Sequence, residues 1–189
     1  MYLFFDTETT GLPRNWKAPV TDLGNWPRLI QLGCLLYDAA GRELGSINTL
    51  VRPDGFIIPP DAAAIHGIST EKAIQEGRDL TGVLSDFQAM AAEANVLVAH
   101  NMIYDEKILG AEFLRKGFQN IVSSKKRLCT MQSSTHYCNI PGRYGPKWPS
   151  LEELHYKLFR EGFDDAHDAM VDISITAKCF WELKKRGVI

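Results

Sequence analysis

Apolar residues first run in short stretches divided by polar turns, and later recur at helical spacing. The first stretch, Leu3-Phe4-Phe5, continues through Asp6-Thr7-Glu8-Thr9 and stops at Thr10-Gly11. A second spans Arg28 to Tyr37, and a third spans Leu44 to Val51 and ends before Pro53. With the turn Asp38-Ala39-Ala40-Gly41-Arg42 between the last two, they predict an antiparallel meander of three strands. Asp61 is placed to cap a short helix ending near Gly67, and Ser69 or Thr70 to cap another over Glu71 to Gln75. From Leu80 onward, Val83, Leu84, Phe87, Met90 and Ala91 keep helical spacing and lead into the strand Val96 to Ala99. Asn101 then starts a helix packed through Ile108, Ala111 and Leu114 and closed by Gly117. A strand near Arg127 to Thr130 follows. Ser150 and Glu153 form a capping box for a helix over Leu151 to Phe159. The last helix opens near Asp164-Asp165-Ala166-His167 and carries Ala169, Ile173, Thr176, Phe180 and Leu183 on one face. Strands first, then alternating helices and strands, predict an α/β fold: a mixed sheet with helices on both faces. Residues 12–27, with Trp16 and Trp26, read as a long loop. Residues 140–149 read as a turn-rich one that mixes Arg143 and Lys147 with Tyr144 and Trp148.

Composition narrows the class. At 189 residues the chain is expected to form one domain, residues 1–189. Lys and Arg number 21 against 23 acids, which argues against a generally basic nucleic-acid coat protein but not against an enzyme whose metals supply charge locally. Cys34, Cys129, Cys138 and Cys179 lie far apart with no C-x-x-C, so reduced thiols are expected rather than a zinc site or disulfide framework. No secretory signal pattern and no apolar run long enough for a bilayer are present, so a cytoplasmic protein without membrane contact is expected.

The chemistry starts at the first strand. Residues two apart in a strand share a face, so Asp6 and Glu8 project together at its end. Taken alone, D-x-E reads as two solvated acids. Two further acids change that. Asp105 falls one turn inside the helix after the Val96 strand. Asp172 lies about 60° from Ala169 at the edge of the buried stripe, with His167 rotated about 140° from it on the entry loop or first turn. Four carboxylates with no Lys or Arg in their local motifs suit two hard divalent cations, and a nearby histidine suits general-base work on a water.

These segments resemble a known family. Asp6-Thr7-Glu8-Thr9-Thr10-Gly11, His100-Asn101-x-x-x-Asp105 and His167-Asp168-Ala169-x-x-Asp172 are similar, in order and spacing, to the three exonuclease motifs of the DEDD superfamily, histidine branch. The chain is identified as resembling the DnaQ-like 3′–5′ exonucleases, related to the proofreading epsilon subunit of bacterial DNA polymerase III, over residues 2 to about 180. The tyrosine branch would carry Tyr where Asp168 stands. The resemblance implies a ribonuclease-H-like fold with a central five-stranded mixed sheet. It implies two divalent metal ions, Mg²⁺ or Mn²⁺, held by Asp6, Glu8, Asp105 and Asp172, with His167 as general base. Thr9 and Thr10 would lie near the terminal nucleotide, and Ile65, His66 and Tyr104 would line its base and sugar. The implied activity is release of nucleoside 5′-monophosphates from the 3′ end of single-stranded or frayed DNA. An exoribonuclease of the RNase T or oligoribonuclease kind is the alternative.

Other readings stay in view. His66 can serve only its own loop, His100 reads as a brace for the Asp105 segment, Tyr104 can be core, and Lys125-Lys126-Arg127 reads as a solvated face. A binding module that keeps the fold would have lost an acid or the histidine. A phosphatase with the same metals would act on mononucleotides and ignore polymer ends. No recognisable tethering segment follows the motifs, so a polymerase partner has no support in the sequence.

Overall fold

The computed structural model describes residues 1–163 and 167–189. Asp164 to Ala166, where the sequence opens the last helix, lie outside the described residues. The strands are β1 (Tyr2–Thr9), β2 (Leu29–Tyr37), β3 (Glu43–Leu50), β4 (Val96–Ala99), β5 (Lys126–Cys129), β6 (Pro141–Gly142) and β7 (Gly145–Pro146). The helices are α1 (Pro60–His66), α2 (Thr70–Glu76), α3 (Leu80–Glu93), α4 (Met102–Arg115), α5 (Thr130–Ser133), α6 (Thr135–Cys138), α7 (Leu151–Phe159) and α8 (Ala169–Lys185).

One five-stranded sheet runs β3-β2-β1-β4-β5. The first three strands are the predicted antiparallel meander, while β1, β4 and β5 pair in parallel. This is the expected mixed sheet. Alternation along β1 divides its side chains between two helical layers. Leu3 and Phe5 join the cluster built with Val83, Leu84 and Phe87 of α3 and Ile108, Leu109 and Phe113 of α4. Phe4 points the other way, into Ile173, Ala177 and Phe180 of α8. The odd residues of β1 therefore face α3 and α4, and the even residues face α8. That division carries on to the end of the strand, where Asp6 and Glu8 follow Phe4, and Thr7 and Thr9 follow Phe5.

Two caps differ from expectation. The α1 N-cap is Pro59, with Pro60 in the first turn, and the Asp61 carboxylate accepts only from the adjacent Ala62 amide. Proline begins a helix without a side-chain cap because its missing N–H is one the helix would leave unpaired anyway. Asn101 precedes α4 with no side-chain cap, and its backbone carbonyl accepts from the Tyr104 and Asp105 amides instead. The Ser69 cap and the Ser150–Glu153 capping box are present as expected.

Candidate active site

β1 and β4 run parallel, so their carboxyl ends open at the same edge of the sheet, where mixed α/β sheets gather ligands. Asp6 and Glu8 arrive there on the α8 face of β1. Asp105 arrives from α4, is only 3% exposed, and accepts a 2.7 Å hydrogen bond from the Thr7 hydroxyl. Asp172 arrives from the first turn of α8. One ligand atom each from Glu8, His167 and Asp172 lies within 4.8 Å of the others.

The electrostatics are those of an uncompensated anionic site. Burial, then the charges of Asp105, Asp172 and Glu8, push the Asp6 pKa well above the usual carboxylate range. Burial, then Asp172 and Asp105, raise Glu8 to about 8. Burial raises Asp105 to about 7 against the stabilising Thr7 bond. Burial also raises Asp172, opposed by the His167 amide, which donates to its carboxylate at 3.2 Å. Among the described residues none of the four acids pairs with Lys or Arg. Oxygen donors crowded without a cation are the donor set that hard divalent ions take, so the residues fit the expected metals.

His167 stands two residues before α8 with φ +72°, the left-handed region, where a histidine is unusual and strained. Two residues of β2 outside the three motifs hold that entry in place. Gln31 is the cross-strand partner of Glu8, and Gly33 is the partner of Asp6. The Gln31 side chain accepts from the Ala169 amide at 3.3 Å, reaches Asp168 at 3.5 Å and donates to Asn48 at 2.9 Å. Gly33 leaves room for the helix itself: a Cβ there would stand 2.5 Å from the Ala169 carbonyl oxygen. The absence of a side chain at Gly33 thus lets the first turn of α8 lie directly on the strand beside Asp6. A Gln-x-Gly in an otherwise apolar strand was the available signal, because a buried polar side chain needs a partner and a glycine inside a strand marks a close backbone approach.

Beside the carboxylates a cleft of about 270 Å³ is lined by Thr9, Gly11, Leu12, Ile65, His66, Tyr104 and His167. The Thr9 and Tyr104 hydroxyls meet each other and the Gly11 carbonyl, which fixes the Thr-Thr-Gly turn against α4. His66 takes the Ile68 amide on Nδ1 at 3.1 Å, while its buried Nε2 has no partner among the described residues. Ile65 and Leu12 are exposed, at 60% and 74%. Of the expected substrate residues, Thr9, Ile65, His66 and Tyr104 are brought to this cleft and Thr10 is not. Thr10 is spent internally: its hydroxyl and amide bond the backbone of Arg28 at 2.9 and 3.0 Å, closing β1 against the start of β2.

The segment 12–27 is pinned by a buried ion-pair cluster. Glu112, fully buried two turns along α4 from Asp105, binds Arg28 at 2.8 Å and Arg115 at 3.0 Å, and accepts from the Leu29 amide. Arg115 in turn donates to the carbonyls of Leu23 and Trp26. So fastened, the segment lays Trp16 against Tyr104, ring centres 5.7 Å apart, at the cleft. His100 braces this end of the sheet. Pro149 O can only accept, so Nε2 carries the proton at 3.1 Å and Nδ1 faces the Thr130 hydroxyl at 3.0 Å. Burial pushes its pKa down to about 4. Within the basic run Lys125 donates to the Ala94 carbonyl and Arg127 pairs with Glu106, while Lys126 is exposed.

The mixed five-stranded sheet flanked by helices is the expected ribonuclease-H-like architecture. A model of the exonuclease family matches residues 3–180, and the chain belongs to that family. Comparison with curated protein sequences finds no match. Among solved structures the chain is similar to the zinc-ion-bound form of E. coli exonuclease I with single-stranded DNA, at 21% identity and a TM-score of 0.78, covering 98% of this chain and 40% of that one. It is also similar to E. coli exonuclease I in complex with a dA16 oligonucleotide, at 20% identity and a TM-score of 0.75, covering 98% and 41%. The chain thus spans about two fifths of the length of the solved proteins it matches, and at this identity the likeness bears on the fold. Among the described residues no helix is long and apolar enough to cross a membrane.

Proposed function

We propose that this protein is a 3′–5′ exonuclease that removes nucleoside 5′-monophosphates from single-stranded or frayed DNA ends. The observation that carries the reading is the convergence of Glu8, His167 and Asp172, with Asp6 and Asp105 beside them, at the mouth of a cleft sized for one nucleotide. Asp6, Glu8, Asp105 and Asp172 would hold two Mg²⁺ or Mn²⁺ ions, which when bound supply the positive charge that offsets the developing charge on the phosphate oxygens. His167, at the solvent side of the cluster, takes the proton from the attacking water on a ring nitrogen. Thr9, Tyr104 and His66 line the place of the terminal sugar, and Ile65 and Leu12 cover its base with apolar surface. The single-stranded DNA in the similar exonuclease I structures supports DNA as first substrate.

The test is digestion of matched 5′-labelled DNA and RNA oligonucleotides with Mg²⁺ or Mn²⁺, by wild type, Asp6→Asn and His167→Ala. Wild type produces a ladder shortening from the 3′ end and 5′-mononucleotides, with DNA cut faster than RNA. Asp6→Asn loses about 10³-fold or more, and His167→Ala about 10²- to 10⁴-fold. An Asp6→Asn protein as fast as wild type removes the metal assignment. Faster cutting of RNA makes the chain an exoribonuclease, and phosphate release from mononucleotides with polymers untouched makes it a phosphatase.

A further inference from the structure

Residues 140–148 take no part in the site described above, yet they form a built element. β6 and β7 pair Pro141 with Pro146 and Gly142 with Gly145, and the Lys147 amide closes on the Ile140 carbonyl at 2.9 Å. The approach is close enough to require glycine, since a Cβ on Gly142 would stand 2.7 Å from the Gly145 carbonyl oxygen. The hairpin spends this construction on presenting rings to water. Tyr144 is 89% exposed and Trp148 55%, and neither joins the apolar clusters. The Arg143 guanidinium sits 5.1 Å from the Tyr144 ring and forms no ion pair among the described residues. Lys147 differs: Glu153 holds it at 2.6 and 2.9 Å, so Arg143 is the uncommitted cation of the tip.

Two anchors fix the hairpin to the sheet edge and to α7. His100, which follows β4 at the strand-end edge, binds the Pro149 carbonyl directly after the hairpin. The Lys147–Glu153 pair ties the hairpin to the first turn of α7, the helix that packs through Leu154 and Leu158 against Cys179 and Leu183 of α8. The hairpin is thereby tied to the same strand-end edge from which α4 carries Asp105 to the site.

We propose that the 140–148 hairpin is a stacking platform for the single strand behind the terminal nucleotide, with bases on Tyr144 and Trp148 and a phosphate on Arg143. This rests on the exonuclease reading above. Single-stranded nucleic acid is the occupant because every unpaired base offers a π face and every link a negative charge, which is what alternating exposed rings and cations bind irrespective of sequence. A duplex hides its base faces. A protein partner would find rings interrupted by charge rather than a continuous apolar patch. In a chain of net charge −2 an unpaired arginine at the site edge gives that platform its attraction for phosphate.

The experiment measures fluorescence anisotropy of labelled dT12 with the full chain in EDTA, so binding is read apart from cleavage. Tyr144→Ala and Trp148→Ala each weaken binding about tenfold, and Tyr144→Phe and Trp148→Phe restore it, because base stacking tolerates any aromatic ring. Arg143→Ala lowers the slope of log affinity against log salt by about 1. Thermal melts report that the exposed substitutions leave the fold intact. With Mg²⁺, the alanine variants raise KM for dT12 and leave kcat, and hydrolysis of the p-nitrophenyl ester of thymidine 5′-phosphate, unchanged. Alanine variants that bind dT12 like wild type overturn the platform, as do phenylalanine variants as weak as alanine ones or a wild type that does not bind dT12. A wild type that binds through these residues but shortens no strand keeps the platform and removes the exonuclease reading.

Discussion

A single methyl group at Gly33 is expected to disable the site without touching any residue that bears its chemistry. Gly33 pairs with Asp6 across the β1–β2 ladder, and the first turn of α8 rests on it. In Gly33→Ala the new Cβ would lie 2.5 Å from the Ala169 carbonyl oxygen, 2.8 Å from its carbon and 3.2 Å from the Met170 nitrogen. Those atoms are helix backbone and cannot rotate away as a side chain would. Restoring an ordinary contact moves the helix start back by about 1 Å. Overpacking of this kind costs about 1–3 kcal/mol, which exceeds the gain of about 0.5–1 kcal/mol from replacing glycine in a strand. The Tm therefore falls by about 10 °C at most. The larger effect is on rate, because Asp172 and His167 ride on the displaced turn, and a misplacement of about 1 Å costs about 10²-fold. The assay is kcat/KM on a single-stranded oligonucleotide beside a thermal melt. Gly45→Ala is the control, since its Cβ meets only Met90 at 3.9 Å. Gly33→Ala within twofold of wild type in rate would refute the argument that this glycine sets the helix against Asp6.

Two further perturbations follow from buried charge. In metal-free protein Glu8 keeps its proton to about pH 8 and Asp105 to about pH 7, against ordinary values of 4.5 and 3.8. The folded state then binds more protons than the unfolded chain, so stability falls as pH rises through that window. Neutral His100, with its pKa at about 4, works in the opposite sense, but only below its ordinary 6.5. In EDTA the Tm is expected to drop by several degrees from about pH 6.5 to 8, and Mg²⁺ or Mn²⁺ to abolish the drop. A Tm in EDTA that rises over this range would contradict it. Glu112→Ala leaves Arg28 and Arg115 without their buried partner and is expected to cost about 3–5 kcal/mol in urea unfolding, with faster proteolysis inside residues 12–27. A loss below about 1 kcal/mol would mean the ion pairs do not hold that segment.

The hairpin and the 12–27 segment show where local reading stopped. Both were legible as irregular, from their Gly, Pro and Trp content, but their conformations depend on distant residues. The clamp on 12–27 comes from Glu112 and Arg115 on α4, and a glutamate inside an amphipathic helix looks like a solvated one until the loop covers it. Thr10 stood in a motif beside Thr9, and nothing local distinguishes a hydroxyl facing a cleft from one taken by the Arg28 amide. Asn101 and Asp61 had the right composition for caps, yet backbone carbonyl and proline filled those places.

What the sequence determined by itself is what periodicity and local chemistry can carry. The period of two puts Asp6 and Glu8 on one face, the 4-3-4-3 stripe of the last helix puts Asp172 at its buried edge, and Ser150 with Glu153 starts α7. What only the tertiary structure decided is how these faces meet. Thr7 binds Asp105 across 98 residues of chain, Gln31 and Gly33 seat the entry of α8 opposite Glu8 and Asp6, and burial of the four acids raises their pKa values. The physical reason is that side-chain direction within an element is set by its own backbone, whereas the distance between elements is set by strand register and by the volume each residue leaves to its neighbour. At Gly33 that volume is zero, and the site forms there.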